Sequence, residues 1–259
     1  MTTAAHRTRF TDRTALVTGA GSGIGRAVAL ALAAEGANVV VTGRRREPLD
    51  ETVALIEEAG GKALAVTADV SRAADVRSVV ASAVDRFGSL DVAVNNAGVF
   101  RGGDPLADLP EEDWHTQLGI NVTGVFLALQ AEIRQMRTQP TGGAIVNIAS
   151  VFGVHGRRPG TAAYAATKAA VSVLTRGAAL DHIGEGVRIN AVSPGAVDTP
   201  MSLLPGETEA ARAERAKATL PLGRISATEE VAAAVLYLAS DDAASVVGTD
   251  LVVDSGATA

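Results

Sequence analysis

The sequence contains no cysteine among its 259 residues. This absence excludes disulfide bonds, thiolate metal ligands and a cysteine nucleophile, and it permits a reducing compartment without proving one. Histidine is scarce as well, with four residues in the chain, and His155 has no partner at the spacing of metal ligands. The composition therefore predicts a protein without a metal site.

Long apolar runs are also missing. No run reaches the roughly 18 to 20 residues that cross a membrane, and the N-terminal segment MTTAAHRTRFTDR lacks the apolar core of a signal peptide. Acidic residues outnumber basic ones: the net charge is −6, and the only basic cluster is the RRR of residues 44–46. Such a chain does not neutralise the many phosphates of a nucleic-acid site. We expect a cytoplasmic protein that binds neither nucleic acid nor membranes.

What the chain does contain is a regular alternation of short β-branched runs and longer alanine-rich segments of helical period. The predicted strands cover residues 15–19, 38–43, 63–70, 90–98, 143–150, 187–195 and 249–256, and the predicted helices cover 23–36, 47–61, 72–87, 111–137, 161–182 and 228–239. Strands that are apolar on both faces, each followed by a helix, are typical of a parallel sheet covered by helices on both faces. The sequence predicts a single-domain, doubly wound α/β (Rossmann) fold with a seven-stranded parallel sheet over residues 11–259, preceded by a flexible arm of residues 1–10.

The longest irregular stretch follows the sixth predicted strand, at about residues 196–220. Its middle, near 207–218, has a helix-forming composition and lies between Pro205 and Pro221. A long excursion at this point lies beside the carboxyl ends of the strands, where ligands bind in such folds. We expect a mobile lid over the substrate.

A glycine-rich turn, TGAGSGIG, follows the first predicted strand and leads directly into a helix. Glycines there let the backbone turn tightly and approach a pyrophosphate, which the free N–H groups and positive dipole end of the helix then bind. The spacing departs from the G-x-G-x-x-G pattern, so a strand-to-helix turn without a ligand is the alternative. The position after the first strand of an α/β chain favours a dinucleotide site.

The residues at the end of the second predicted strand help to predict which dinucleotide binds. An NAD site has an acidic residue at this point that accepts hydrogen bonds from the ribose hydroxyls. Here Gly43 occupies that place and Arg44 follows it. A guanidinium can bind a 2′-phosphate through two hydrogen bonds, whereas a carboxylate would repel it. NADP(H) is therefore expected in preference to NAD(H), and the alternative is a solvated arginine cluster.

Tyrosine is rare, with two in the chain, and Tyr164 is followed by Lys168 at i+4. Both side chains therefore lie on one face of the predicted helix. A free phenol ionises near 10, and an adjacent ammonium is expected to lower the pKa of Tyr164 toward the range of a general base. The alternative is a packed tyrosine beside a solvent-seeking lysine.

Several short motifs in this order resemble those of the classical short-chain dehydrogenase/reductase family, including members such as 3-oxoacyl-[acyl-carrier-protein] reductase. They are TGAGSGIG (18–25), DV (69–70), NNAG (95–98), the asparagine of GINVTG, IVNIAS ending at Ser150, YAATK (164–168), SPGAVDTP (193–200) and DSG (254–256). The resemblance covers about residues 11–257. It implies an NAD(P)-dependent oxidoreductase that interconverts a secondary alcohol and a ketone and assembles as a homotetramer.

The resemblance also implies catalytic roles for four residues. Tyr164 would exchange a proton with the substrate oxygen, and Ser150 would hydrogen-bond the same oxygen. Lys168 would lower the pKa of Tyr164 and hold the nicotinamide ribose, while Asn121 would hold a water that links Lys168 to solvent. The implied cofactor contacts are Gly19, Ser22, Gly23, Ile24 and Gly25 at the pyrophosphate, Arg44, Asp69, Val70 and Asn96 on the adenosine side, and Tyr164, Lys168, Pro194, Val197 and Thr199 at the nicotinamide end.

The segment between Ser150 and Tyr164 departs from the family pattern. It is one residue longer than is commonest, which is expected to reshape the pocket beside Ser150. The expected substrate contacts are Ser150, Phe152, His155 and Tyr164. In the alternative interpretation, His155 is a loop residue that does not contact the substrate. The wider set of pocket-lining candidates, Val151, Phe152, His155 and the lid around 201–204, is mostly apolar and favours a hydrophobic small-molecule substrate.

The sequence thus predicts an NADP(H)-preferring oxidoreductase with Tyr164 as general acid/base. Two alternatives stay open at this point. One is an NAD-dependent dehydrogenase of a sugar or steroid alcohol, because Gly43 removes the acid without requiring a 2′-phosphate. The other is a dinucleotide sensor or scaffold without catalysis, which would have no need of Ser150, Tyr164 and Lys168 together.

Overall fold

The computed structural model describes residues 8–204 and 206–259, so Pro205 and most of the predicted N-terminal arm lie outside the described residues. The strands are β1 (Thr14–Thr18), β2 (Asn38–Gly43), β3 (Lys62–Thr67), β4 (Val92–Asn95), β5 (Gly143–Ile148), β6 (Val187–Pro194) and β7 (Asp250–Val253). The α-helices are α1 (Gly23–Ala34), α2 (Arg46–Glu58), α3 (Ala73–Phe87), α4 (Glu111–Gln117), α5 (Gly124–Met136), α6 (Ala162–His182), α7 (Glu209–Thr219) and α8 (Thr228–Ala239).

All seven strands form one parallel sheet in the order β3-β2-β1-β4-β5-β6-β7. The chain winds outward from β1 to β3 and then crosses back to β4, so the winding direction reverses between β1 and β4. In open α/β sheets, ligands bind in the crevice at the carboxyl ends of the strands beside this reversal. The predicted doubly wound fold and its strand number are confirmed.

The helices cover both faces of the sheet. On one face α1 packs against α8, and the buried side chains include Val28, Leu32 and Val235. On the other face α3 packs against α5 and α6 lies over β6, with Val79, Leu129, Ile133 and Val171 among the buried side chains. Strands buried on both faces explain the continuous apolar runs of the sequence.

The helix predicted over residues 111–137 contains a break. A π-helical segment, Leu118–Thr123, joins α4 to α5. The segment carries the buried Asn121, and such turns often occur at functional sites. The apolar pattern on either side is regular, so the sequence alone predicts one uninterrupted helix.

Six of the seven predicted strands extend too far at their carboxyl ends. The strand predicted over 90–98 ends at Asn95 in the structure, because the backbone and amide of Asn96 turn toward β1. At the start of the chain, Phe10 is fully buried and the Arg9 guanidinium donates to both carboxylate oxygens of Glu35. Residues 9 and 10, assigned to the arm by sequence, therefore pack on the domain.

Candidate active site

The glycine turn lies between β1 and α1 at the crevice. Gly19 and Gly23 have φ angles of +66° and +53°, in the left-handed region that favours glycine. A Cβ at Gly25 would lie 2.3 Å from the carbonyl oxygen of Gly19 and 2.5 Å from Nδ2 of Asn96. Only glycine fits here, and the backbone can approach a ligand closely at the amino end of α1, where free N–H groups favour an anion.

Hydrogen bonds join the end of β4 to this turn. The Asn96 amide donates to the carbonyl oxygens of Thr18 and Gly19 at 2.9 and 3.3 Å. In return the hydroxyl of Thr18 accepts from the backbone N–H groups of Asn96 and Ala97 at 2.9 and 3.0 Å. Asn96 therefore holds the glycine turn in place from the side of β4.

A second set of hydrogen bonds, from Arg26 and Thr52, holds the turn from the side of α2, and the sequence did not predict it. The Arg26 guanidinium donates to the carbonyl oxygen of Gly21 at 2.6 Å and to the carboxylate of Glu51 at 2.7 Å. The buried hydroxyl of Thr52 donates to the carbonyl oxygen of Ala20 at 2.9 Å. Nothing in the sequence distinguishes Arg26 from a solvent-exposed helix residue, so only the packing of α1 against α2 reveals these hydrogen bonds.

The side of the crevice that is predicted to hold adenosine brings together residues from the ends of β2 and β3. Hydrogen bonds from Ser71 lower the pKa of Asp69, and the charge of Arg44 lowers it further. Arg44 is therefore close enough to Asp69 to interact with it across the crevice. Arg46, in contrast, binds Asp50 one helical turn away at 2.7 Å. Of the three consecutive arginines, Arg46 makes a local helix pair, whereas the charge of Arg44 acts on Asp69.

Val70 lies beside the same crevice, against the first turn of α5. A Cβ at Gly124 would lie 2.9 Å from a methyl carbon of Val70. Val70 lines a small space together with Thr18, Asn95 and Ala97, at the point where β1 and β4 end.

Ser150, Tyr164 and Lys168 lie together where β5 ends and α6 begins. Ser150 follows β5 and is buried, and a hydrogen bond joins it to Tyr164. The Lys168 ammonium lies 5.9 Å from the centre of the Tyr164 ring and donates to the carbonyl oxygen of Ile148 at 2.8 Å. The three side chains predicted to act together are therefore neighbours.

The pKa expectation for Tyr164 is wrong in direction. Burial raises the pKa of Tyr164 to about 12, and the hydrogen bond with Ser150 opposes that rise. Burial also lowers the pKa of Lys168 to about 8. Desolvation disfavours the charged form of each group, and the ammonium is turned toward the Ile148 carbonyl. The phenol is thus held in its neutral form.

Asn121 connects the π-helical segment to the strand end that carries NNAG. Its side-chain oxygen accepts from the N–H of Val99 and its amide donates to the carbonyl oxygen of the same residue, both at 2.8 Å. The amide also donates to the hydroxyl of Thr167 at 3.1 Å. Asn121 therefore orients residues 96–100 against α6, directly behind the Tyr164 and Lys168 face.

Two residues near this cluster were absent from the predicted set. A Cβ at Gly98 would lie 3.4 Å from the Lys168 ammonium nitrogen, so a larger residue would crowd it. The ring of Phe100 packs edge-on against that of Tyr164, with 5.2 Å between ring centres, and remains 36% exposed. Both lie just after β4, and the motif NNAGVF was the only signal for them.

The nicotinamide end predicted by sequence lies beyond β6, which ends at Pro194. Val197 is buried in a bridge with Ser226, and Thr199 lies opposite the glycine turn, because a Cβ at Gly23 would be 3.1 Å from its methyl carbon. The buried Arg212 of α7 donates to the carbonyl oxygen of Thr199 at 3.2 Å and to the hydroxyl of Ser202 at 2.9 Å. Helix α7, in the segment predicted to form a lid, is thus fastened to the loop opposite the glycine turn.

His155 and Phe152 belong to the longer loop after Ser150. The backbone N–H of Phe152 donates to the hydroxyl oxygen of Ser150 at 3.1 Å. His155 Nε2 lies 3.3 Å from a carboxylate oxygen of Asp250, which also accepts from the hydroxyls of Ser172 and Ser193. The imidazole therefore anchors the loop to β7 in this structure, and its expected substrate contact stays a prediction.

Together these features define a dinucleotide-binding oxidoreductase of the α/β class. At Gly19 and Gly25 the turn packs so closely against Asn96 that a Cβ does not fit, and a serine, a tyrosine and a lysine lie at the adjoining strand end. Residues 19–258 match the family model described as Enoyl-(Acyl carrier protein) reductase. The chain belongs to the short-chain dehydrogenase/reductase family, whose members are NAD(P)-dependent and act on CH–OH groups.

Individual relatives agree with this assignment. The chain is 38% identical to a 3β-hydroxysteroid dehydrogenase of Mediterraneibacter gnavus, with 96% of each chain covered. It is 43% identical to a cis-4-hydroxycyclohexanecarboxylate dehydrogenase of Sinomonas cyclohexanicum, with 96% of this chain and 98% of the relative covered. The crystal structure of levodione reductase superposes with a TM-score of 0.91 at 38% identity, covering 96% of this chain and 99% of that one.

The packing at Gly25 leads to a first prediction. Gly25→Ala should lower dinucleotide affinity at least about tenfold, because its methyl group would push the Gly19 carbonyl and the Asn96 amide apart. Titration of intrinsic or nicotinamide fluorescence measures the affinity.

A matched control is Gly177→Ala on α6, where an added Cβ meets nothing within 4 Å. This variant should bind the dinucleotide as the wild type does. Equal affinity of the Gly25 variant, with an unchanged thermal unfolding curve, would contradict the predicted cradle.

Proposed function

We propose that this protein is an NADP(H)-preferring oxidoreductase that interconverts an apolar cyclic secondary alcohol and its ketone. The observation that carries the proposal is the meeting of Ser150, Tyr164 and Lys168 at the end of β5, beside a glycine turn that suits a pyrophosphate. The bound nicotinamide would supply hydride chemistry. The protein's part is to bind, align and exchange a proton.

In this proposal the substrate oxygen lies between the hydroxyls of Ser150 and Tyr164. Tyr164 is held neutral by burial, so its hydroxyl can donate a proton to an oxygen on which negative charge develops. Ser150 donates a second hydrogen bond to the same oxygen and shares that charge. In the direction of alcohol oxidation, Tyr164 must first lose its proton, so the oxidation rate should rise with pH.

Lys168 would serve the site through its position. Its ammonium is anchored to the Ile148 carbonyl, and Gly98 leaves room beside it, so it can reach the hydroxyls of a ribose. The residues proposed to hold the rest of the dinucleotide are Gly19, Ser22, Gly23, Ile24, Gly25, Arg44, Asp69, Val70, Asn96, Pro194, Val197 and Thr199.

The proposed substrate class is inferred from apolar side chains beside Tyr164 and on the lid segment. Phe100 presents an exposed ring edge-on to the phenol, and Met201 and Leu204 are exposed on the lid segment. Two relatives carry names of a hydroxysteroid and a hydroxycyclohexanecarboxylate dehydrogenase, and both substrates are ring alcohols. An apolar ring packed on Phe100 would bring its carbinol carbon beside Tyr164.

Exposed apolar side chains also support the expected homotetramer. Phe126 on α5 and Val173 and Leu180 on α6 are all exposed in the single chain. A surface of this kind suits association of identical subunits. Among the described residues no helix is both long and apolar enough to span a membrane. The cytoplasmic location stays a prediction.

The role of Tyr164 is tested by Tyr164→Phe. Turnover should fall by a factor of about 10² to 10⁴, because the variant cannot donate or accept the proton. Cofactor affinity should be nearly unchanged, since the ring and its contact with Phe100 remain. Nicotinamide absorbance follows the turnover.

The only other tyrosine provides the control. Tyr237 lies exposed on α8, and Tyr237→Phe should keep full activity. Appreciable residual activity of Tyr164→Phe would reject the assigned role, and normal cofactor binding without any turnover of the wild type would favour a sensor or scaffold.

Cofactor preference is tested by Arg44→Ala. Loss of a charged hydrogen bond to the 2′-phosphate should weaken NADP binding about tenfold or more and leave NAD binding unchanged. Arg46→Ala is the control, because the Arg46 guanidinium is paired with Asp50. Tighter binding of NAD than of NADP by the wild type would instead favour the NAD-dependent alternative, in which the carboxylate of Asp69 beside Arg44 disfavours a phosphate.

The substrate class is tested with cyclohexanones, steroid ketones, oxoacyl thioesters and sugars. Ring ketones should give the highest kcat/KM. Phe100→Ala should raise their KM about tenfold because the ring contact is lost. The control is Leu55→Ala on α2, where Leu55 is 42% exposed and has no assigned role. A preference for thioesters or sugars would contradict the proposed class.

A further inference from the structure

A chain of polar side chains runs through the interior on the α5 side of the sheet, away from Tyr164. Glu132 of α5 is 1% exposed, and its Oε2 accepts from Nδ2 of Asn95 at 2.9 Å. The same Asn95 nitrogen donates to Oδ1 of Asn147 at 3.0 Å. Asn147 in turn donates to the hydroxyl of Thr175 at 2.8 Å, so the network joins β4, β5 and α6.

Two acceptors on either side of the first hydrogen bond have no partner among the described residues. They are Oε1 of Glu132 and Oδ1 of Asn95, and both are fully buried. Leaving two buried acceptors unsatisfied is unfavourable, and most buried polar groups are paired. A carboxylic acid and a primary amide can pair through two hydrogen bonds, in which the acid O–H donates to the amide oxygen and the amide N–H donates to the acid carbonyl. One proton on Glu132 therefore satisfies both orphan acceptors.

Within residues 8–204 and 206–259, no charged group is shown paired with Glu132. Its hydrogen-bond partner is the amide of Asn95 on β4, which also bonds Asn147 of β5, and Asn147 bonds the hydroxyl of Thr175 on α6. On the α3 side, Arg77 and Arg134 line an outer groove to which Glu132 does not contribute. An isolated buried carboxylate is strongly disfavoured, so burial favours the neutral acid.

We propose that Glu132 is a positioning residue, held as the neutral acid and joined to the Asn95 amide by two hydrogen bonds. The pair fixes the end of β4 against α5, and the same Asn95 amide bonds Asn147 of β5. Asn95 immediately precedes Asn96, which holds the glycine turn, and Asn147 lies three residues before Ser150. The interior proton therefore helps to set the cofactor crevice and the reacting serine relative to each other.

The expected pH dependence has a definite sign. Burial raises the pKa of Glu132 from 4.5 to about 7, so the folded state binds this proton more tightly than the unfolded state does. Its contribution to stability is greatest at low pH and is lost as the pH rises through 7. With these two values, the folded-to-unfolded ratio should fall by about 30-fold between pH 5.5 and 8.5.

The test compares Glu132→Gln with the wild type by urea unfolding at several pH values. A glutamine amide can donate to Oδ1 of Asn95 and accept from its Nδ2, so it mimics the neutral acid at every pH. Relative to this variant, the wild type should lose about 30-fold in the folded-to-unfolded ratio between pH 5.5 and 8.5. Parallel pH profiles would overturn the assignment. Glu57→Gln on the exposed face of α2 is the control and should follow the wild type.

Two further measurements complete the test. The infrared spectrum of the folded wild type in D2O near neutral pD should contain the C=O band of a neutral carboxyl, and its absence would overturn the proposal even if the variant fails to fold. The dissociation constant for NADPH should rise with pH in the wild type relative to Glu132→Gln. A constant ratio of the two dissociation constants would overturn the positioning role.

Discussion

The hydrogen bonds between the ends of β1 and β4 are the interaction on which the site depends. Asn96 and Thr18 are joined by hydrogen bonds across the point where the winding of the sheet reverses. Arg26 and Thr52 hold the same turn from the other side. The turn can therefore be rich in glycine and still have a defined shape, which suits the binding of an anion by backbone N–H groups.

Burial governs the charge state of the groups that matter most. It keeps Tyr164 protonated, lowers the pKa of Lys168 and raises that of Glu132. In each case desolvation is the largest cause, and neutral hydrogen-bond partners surround the group. The protein thus places neutral donors and acceptors around its chemistry, in surroundings where a charge that develops during reaction is stabilised more strongly than in water.

The parts of the structure that the sequence predicts are those that repeat locally. The alternation of apolar runs and helical segments predicts seven parallel strands, and the i, i+4 spacing predicts that Tyr164 and Lys168 share a face. Other features depend on which elements pack together, and no local pattern of residues encodes that packing. They are the hydrogen bonds from Arg26 to the glycine turn, the contact of Phe100 with Tyr164 and the burial of Glu132. The pKa of Tyr164 was predicted in the wrong direction because the spacing reveals a nearby ammonium but not the loss of solvent around both groups.

The π-helical segment at Leu118–Thr123 has a consequence for any redesign of this molecule. Successive residues of a regular helix are rotated by about 100° around its axis. A π turn holds one more residue than an α turn. Rewinding the same residues as a regular helix would therefore turn everything downstream by roughly that angle relative to α4. The carboxyl of Glu132 would leave the interior, and apolar side chains that now face the sheet would meet solvent. The irregular turn keeps two differently oriented helical faces in register with two different neighbours.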